Sequence, residues 1–412
     1  MRVRGPSAQP GKPSSRLTRP FSLFSGDLYD RALASVGLGD GEAPRILRRI
    51  AGLLALTWLP LLVLFLMREH GIGQPGRTSL IWDIAAWAQL VGFLPIATVA
   101  EVYIDDKIRG AVRHLATVAP HGPLAALADQ AERVARSAYA LAGCAVLGHA
   151  FTWFWARDEL RNGLESWHTR CVARSAAGVC LGEVFTPAGW WVVLVSLPVF
   201  TFIWLRWTWK IGVWTLFLSR VSRLKLRLIP AHPDRTGGLG CLSDVQTSFA
   251  LIIFGTSLLF AAFVWYKVQI EGAAASPTVW VPILGYVLLA PSAFMAPLFL
   301  FTRTLYRVKG AALHRYSMLG ATLTRRFERN WLRADASRRG DLLDSTHAST
   351  LADFRTAYET VDSMRVVPFD VRSVAELFGS AAGPFIPLAD LLGIWEKGKA
   401  IVEFIRPGAG LP

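Results

Sequence analysis

Six apolar runs, each about as long as the 20-residue helix needed to cross roughly 30 Å of hydrocarbon, constrain this chain more than any other feature. They fall at about 50–67, 80–103, 138–156, 190–205, 249–266 and 279–301, and a cluster of Arg45, Arg48 and Arg49 precedes the first. In hydrocarbon a backbone must satisfy its own hydrogen bonds, so runs of this kind are helices rather than strands. The fold class expected is therefore all-α: a polytopic membrane protein with six transmembrane helices. Composition agrees, with 52% hydrophobic and only 18% charged residues, against about 25% charged in soluble domains.

The net charge of +14 would suit nucleic acid, but the Lys and Arg residues lie mostly beside apolar runs, and no helix-turn-helix or RNA-binding signature accompanies them. Membrane orientation and anionic head groups account for that placement first. Of the 44 Lys and Arg, all but Arg68, Arg77, Arg157, Arg161, Arg170, Arg174 and Lys267 fall in segments that alternate to one side. Both termini are accordingly expected in the cytoplasm and the protein in a bacterial inner membrane. The Pro- and Arg-bearing stretch before the first run is a poor cleavable signal peptide, so the first span is expected to be an uncleaved anchor.

Three regions follow. Residues 1–48 read as a basic, largely disordered cytoplasmic tail, with at most a short amphipathic stretch from Phe21 to Leu47 and no core of its own. Residues 49–303 form the six-span domain, with cytoplasmic loops 104–136 and 206–246. Residues 304–412 form a cytoplasmic helical region, in which Arg325, Arg326, Arg329 and Arg333 recur at helical spacing and suit an anionic leaflet. Within it the weaker apolar segment 371–392 reads as a re-entrant or interfacial element rather than a seventh span.

Four cysteines show no metal-ligand spacing, and neither a metal nor a cofactor is expected. Cys171 and Cys180 share the large non-cytoplasmic loop, where a disulfide could staple it; two unpaired thiols are the alternative. The sixteen tryptophans gather at span ends and read as interfacial belts. Ala140, Cys144, Gly148 and Thr152 recur every four residues, a small-residue stripe for close helix packing and a possible homo-oligomer face. Beyond the fourth run the helix is expected to continue to Leu228, with Arg206 and Lys210 snorkelling to head groups.

Two kinds of residue carry candidate chemistry. Inside the membrane, Asp83 and His149 differ in depth by an amount side chains could bridge, and ionisable groups there are functional candidates by default; interfacial solvation and an ordinary interhelical hydrogen bond are the plain alternatives. On the cytoplasmic side, the loop His232-Pro233-Asp234-Arg235-Thr236-Gly237-Gly238-Leu239-Gly240 reads first as a tight turn, its prolines stopping a helix and its glycines accepting positive φ. A functional version holds an anion on Arg235 and the Gly237 and Gly238 N–H groups, and uses His232 with Asp234 for proton transfer or a metal. Ser243 to Gln246 reads as a capping box for the next helix.

This loop, together with Met364-Arg365-Val366-Val367-Pro368-Phe369-Asp370, resembles a group of uncharacterised bacterial multispan membrane proteins. The resemblance covers the two segments and the span layout, and implies the class without an activity. No Walker A loop, His-Glu-x-x-His or Gly-x-Ser-x-Gly elbow is present. A channel or transporter is the expectation that best fits Pro-broken spans and intramembrane polar groups. An enzyme acting on an anionic or lipid substrate through His232, Asp234 and Arg235, or a non-catalytic scaffold or sensor, are the alternatives.

Overall fold

The computed structural model describes residues 21–37, 43–68, 79–161, 166–175, 180–271, 277–329 and 347–388. It is about 81% helical with almost no sheet. The helices are α1 (Leu28–Ser35), α2 (Ala43–Thr57), α3 (Leu59–Arg68), α4 (Ile84–Val118), α5 (His121–Ala135), α6 (Ala138–Glu159), α7 (Pro187–Val221), α8 (Gly240–Ser248), α9 (Ala250–Glu271), α10 (Pro277–Met295), α11 (Thr302–Phe327), α12 (His347–Asp362) and α13 (Val371–Ala382). An antiparallel hairpin, β1 (Thr169–Arg174) with β2 (Cys180–Phe185), sits in the loop between α6 and α7.

Among the described residues, five helical segments are long and apolar enough to cross a membrane: Ile46–Met67, Ile84–Val118, Pro187–Val221, Gly240–Val268 and Val279–Phe327. Apolar side chains cover their outsides: Leu289 on α10 is 71% exposed and Val281 68%. A water-soluble fold would hide such a surface; lipid solvates it. This is the architecture of a multi-pass helical membrane protein.

Prolines shape the long helices. In α4 the π turn Trp87–Phe93 comes just before Pro95, and in α7 the π turn Val192–Ser196 comes just before Pro198. A proline ring clashes with the carbonyl four residues back, and a widened turn gives that carbonyl room. Pro60 follows the break between α2 and α3, Pro282 and Pro291 lie inside α10, and Pro297 lies in the 3₁₀ turn Ala296–Phe301.

The small-residue stripe of α6 meets α7 within the same chain: a Cβ on Gly148 would lie 3.0 Å from Thr201 Oγ1 and 3.4 Å from the Phe202 nitrogen. The stripe is therefore used internally. The tryptophans divide: Trp153, Trp190 and Trp204 are exposed as a belt requires, whereas Trp207 and Trp214 are core residues. They face inward because α7 is surrounded by α5, α6 and the N-terminal segment rather than by lipid.

Three expectations are corrected. Residues 21–37 do build core: Phe21, Leu23 and Phe24 are buried, the Phe24 ring packs tilted against Trp207 with centroids 4.7 Å apart, and α1 follows. Residues 1–20 lie outside the described residues. Second, α7 ends at Val221 rather than Leu228, and the chain leaves it through a turn at 222–224 before the Arg227 N–H donates to the Val118 carbonyl at the end of α4. Third, α8 opens at Gly240 without a capping box, and Gln246 instead accepts from Trp214 Nε1 and donates to the Phe294 carbonyl.

The apolar C-terminal segment lies in the bundle. α13 and the 3₁₀ turn Gly383–Leu388 pack between α9 and α10, with Leu377 and Ala381 on Ile253 and Phe385 on Phe260 and Tyr286. Residues 389–392 and Arg333 fall outside the described residues.

Candidate functional site

The most unusual chemistry lies where α2, α4 and α7 converge under the N-terminal segment. Asp27, Arg206 and Lys210 are at most 1% exposed, and Arg49, Glu101 and Asp105 at most 4%. Three buried cations thus face two buried anions, Asp27 and Glu101, while Asp105 pairs with the partly exposed Arg109. The Arg206 guanidinium forks onto Glu101, Nη1 to Oε2 at 3.0 Å and Nη2 to Oε1 at 2.9 Å, and its Nε donates to Asp27 Oδ2 at 2.9 Å. Arg49 approaches Glu101 from α2 at 3.3 Å. The Tyr29 ring lies under both guanidiniums, 4.7 Å from that of Arg206 and 5.0 Å from that of Arg49. Lys210 spends its three donors on Asp27 Oδ2 (3.0 Å), the Leu23 carbonyl (2.6 Å) and the Ala135 carbonyl (2.9 Å).

Residues 21–26 are held as a bound peptide would be, mostly by side chains from other elements. Asp105 accepts from the Leu23 and Phe24 N–H groups and the Ser22 hydroxyl; Glu132 accepts from the Ser22 N–H; Arg109 and Arg136 donate to the Phe21 and Ser25 carbonyls. Asp27 then caps α1 through the Asp30 N–H. Burial alone would raise the Asp27 carboxyl; Arg206, Lys210 and that N–H outweigh it and leave its pKa below the ordinary value. Arg206 and Lys210 therefore do not snorkel: a carboxylate-bearing partner reaches them inside the fold. From Ile84 to Glu101 the helical rise is about 26 Å, which puts the network near the end of a hydrocarbon layer about 30 Å thick.

The His232 loop forms a second, tighter construction. Arg235 (φ 55), Gly237 (φ 69) and Gly238 (φ 96) all take the left-handed conformation. The Asp234 carboxylate accepts from the N–H groups of Thr236 (2.8 Å), Gly238 (3.0 Å) and Gly240 (2.9 Å), the last being the first residue of α8. His232 Nδ1 lies 2.8 Å from Asp234 Oδ1, and the His114 ring stands edge-on to His232 at 5.9 Å. The Gly238 N–H, expected to hold an external anion, is occupied by the chain's own carboxylate. Burial would raise that carboxyl, but the N–H groups of Thr236, Gly240 and Gly238 hold it down at about 2.

A pH dependence follows. A folded pKa below the unfolded 3.8 means that the stabilisation is complete above about pH 4 and is lost as pH falls through 2. Between pH 5 and pH 2.5 the thermal midpoint of the wild type should fall more steeply than that of Asp234→Asn, and parallel slopes would contradict this role.

The His232 loop and the segment 364–370 touch. The Arg365 N–H donates to the Arg235 carbonyl at 2.7 Å, Arg365 Nη2 to the Asp234 carbonyl at 3.2 Å, and Ser243 pairs with Ser373 at 2.9 Å. The loop is thus the seat on which the chain turns into α13.

Asp83 and His149 are not brought together. Asp83 caps α4 through the Ala86 N–H at 3.1 Å and accepts from Trp167 Nε1 at 2.9 Å. His149, expected to point toward protein, is on the exposed face of α6 among Val146, Leu147 and Phe151, because Gly148 rather than its neighbour faces α7. Cys171 is disulfide-bonded, while Cys144 and Cys241 are free; the Cys180 side chain is outside the described residues. Among the described residues no group of three His, Cys, Asp or Glu could hold a metal. No family model, curated protein or solved structure matches the chain.

Proposed function

We propose that this is a bacterial inner-membrane protein in which α6 crosses beside the five apolar segments, and that it works as a channel- or transporter-like conduit closed on its cytoplasmic side by residues 21–37. The observation that carries the reading is the buried network of Asp27, Glu101, Arg206 and Lys210 beneath that strap. Charged groups in crossing helices are costly to bury and persist where they serve a pathway. Both helices that carry the network, α4 and α7, also contain a π turn and a proline on its outer side, features that let a helix bend. Arg325, Arg326 and Arg329, at the end of α11 and just beyond it, would rest against anionic lipid. α13 enters as a re-entrant element between α9 and α10.

Arg109 and Arg136 hold the strap from its rim and are partly exposed, so Arg109→Ala/Arg136→Ala should loosen it without unmaking the core. Weakening the latch by about 1.4 kcal/mol raises the open population roughly tenfold. Reconstituted vesicles carrying the double variant should pass protons, potassium, chloride or formate faster than wild type by that order. No flux of any of these from either protein would end the conduit reading.

A second reading, an enzyme acting on an anionic or lipid substrate at the cytoplasmic surface, is favoured by the His232–Asp234 pair alone. It requires that His232→Ala fold normally and lose the cellular phenotype.

A further inference from the structure

The strap contributes one carboxylate to the network, and everything that receives it belongs to helices that would stay if it left. Asp27 Oδ2 is met by two cations, Arg206 Nε at 2.9 Å and Lys210 Nζ at 3.0 Å, and no part of this carboxylate reaches solvent. The aromatic rings of Phe24 and Tyr29 shield the cations on the strap side, and Trp207 packs against Phe24.

What remains after the strap lifts is asymmetric. Arg206 retains both oxygens of Glu101, which it shares with Arg49. Lys210 loses Asp27 and the Leu23 carbonyl and retains only the Ala135 carbonyl. Three cations would then share the single carboxylate of Glu101, so the vacated seat favours a negative charge of carboxylate size. Arg206 supplies a planar fork and Lys210 a point charge, a pairing suited to a carboxylate.

From this we infer that Arg206 and Lys210 form a binding site for a small carboxylate, held in the closed state by Asp27, which a free carboxylate occupies when the strap is displaced. The inference rests on the reading of residues 21–37 as a removable closure. It specifies the class of ligand for that site: a monocarboxylate, with the strap as a competing ligand in cis.

The test is chemical rescue in the full-length protein. Asp27→Ala deletes a group the size of formate, so sodium formate should raise the thermal midpoint of the detergent-solubilised variant saturably, by about 3 °C or more, over sodium chloride at equal ionic strength. Wild type, with its seat filled, should show no such rise, and Asp27→Ala/Lys210→Met should lose it. A folded Asp27→Ala that responds identically to formate and chloride overturns the site. If Asp27→Ala does not fold, the decision passes to wild type, where formate should accelerate hydrogen exchange of residues 21–37 over chloride. Unchanged exchange there also overturns it. Both readouts are binding measurements, so a protein that binds formate without conducting it would sink the conduit and leave the site standing.

Discussion

Arg206→Met is expected to remove about 3–5 kcal/mol of stability, the cost of breaking a buried ion network at its centre, seen as a large drop in the thermal midpoint followed by tryptophan fluorescence. The guanidinium is the one group that touches Asp27, Glu101 and the Phe24 carbonyl at once, so its loss leaves Glu101 with Arg49 alone and Asp27 with Lys210 alone. Asp27 is then released from the strongest of the influences that hold its carboxyl down, while the burial that pushes it up persists. Methionine nearly fills the volume and adds no charge, which isolates the electrostatic loss from a cavity. Arg303, exposed on α11, supplies the contrast: Arg303→Ala should stay within about 0.5 kcal/mol of wild type. Adding Asp27→Asn and Glu101→Gln should deepen the loss rather than restore it, because Lys210 and Arg49 would then lie buried with no carboxylate. A single variant as stable as wild type would mean that the network contributes nothing to holding the strap.

The membrane class was legible because apolar length is a one-dimensional property: a run of about 20 residues has to be satisfied inside hydrocarbon whatever its neighbours do. The ion network was not, although its signal was present. Glu101 and Asp105 stand four apart on α4, Arg206 and Lys210 four apart on α7, and residues at that spacing share a helix face. Two faces of opposite sign, each at the C-terminal end of an apolar run, are a pairing hypothesis. Read singly, each charge is explained by snorkelling, and the link between the helices is hidden. Asp27 was harder still, since it lies in a polar tail whose period is too short to show and whose folding depends on groups more than 70 residues away. At Asp83 and His149 the sequence showed depth in the bilayer but not rotation about the helix axis, and rotation sends His149 outward. The His232 loop was the reverse case. Its turn chemistry could be read from prolines and glycines, while the role of Asp234 as acceptor for three N–H groups could not, because the third lies six residues ahead.

Asp234→Ala is expected to cost about 3–4 kcal/mol, from the loss of a carboxylate that accepts several charge-assisted hydrogen bonds worth roughly 1.5–3 kcal/mol each and not additive. The N–H groups of Thr236, Gly238 and Gly240 have no other acceptor in the structure as described, and Gly237 and Gly238 are held at positive φ, where the backbone gains nothing by relaxing into a helix. Loosening the turn frees the Asp234 and Arg235 carbonyls that receive Arg365, so the loss should spread to the far end of the chain. Hydrogen exchange of residues 364–382 should accelerate together with that of 229–242, while residues 138–159 of α6 stay protected. His232→Ala supplies the comparison, since His232 touches the carboxylate from a partly exposed position and its removal should cost less than about 1 kcal/mol. If the two substitutions prove equally mild, the loop is not the structural seat of α13, and the His232–Asp234 pair regains its claim to chemistry.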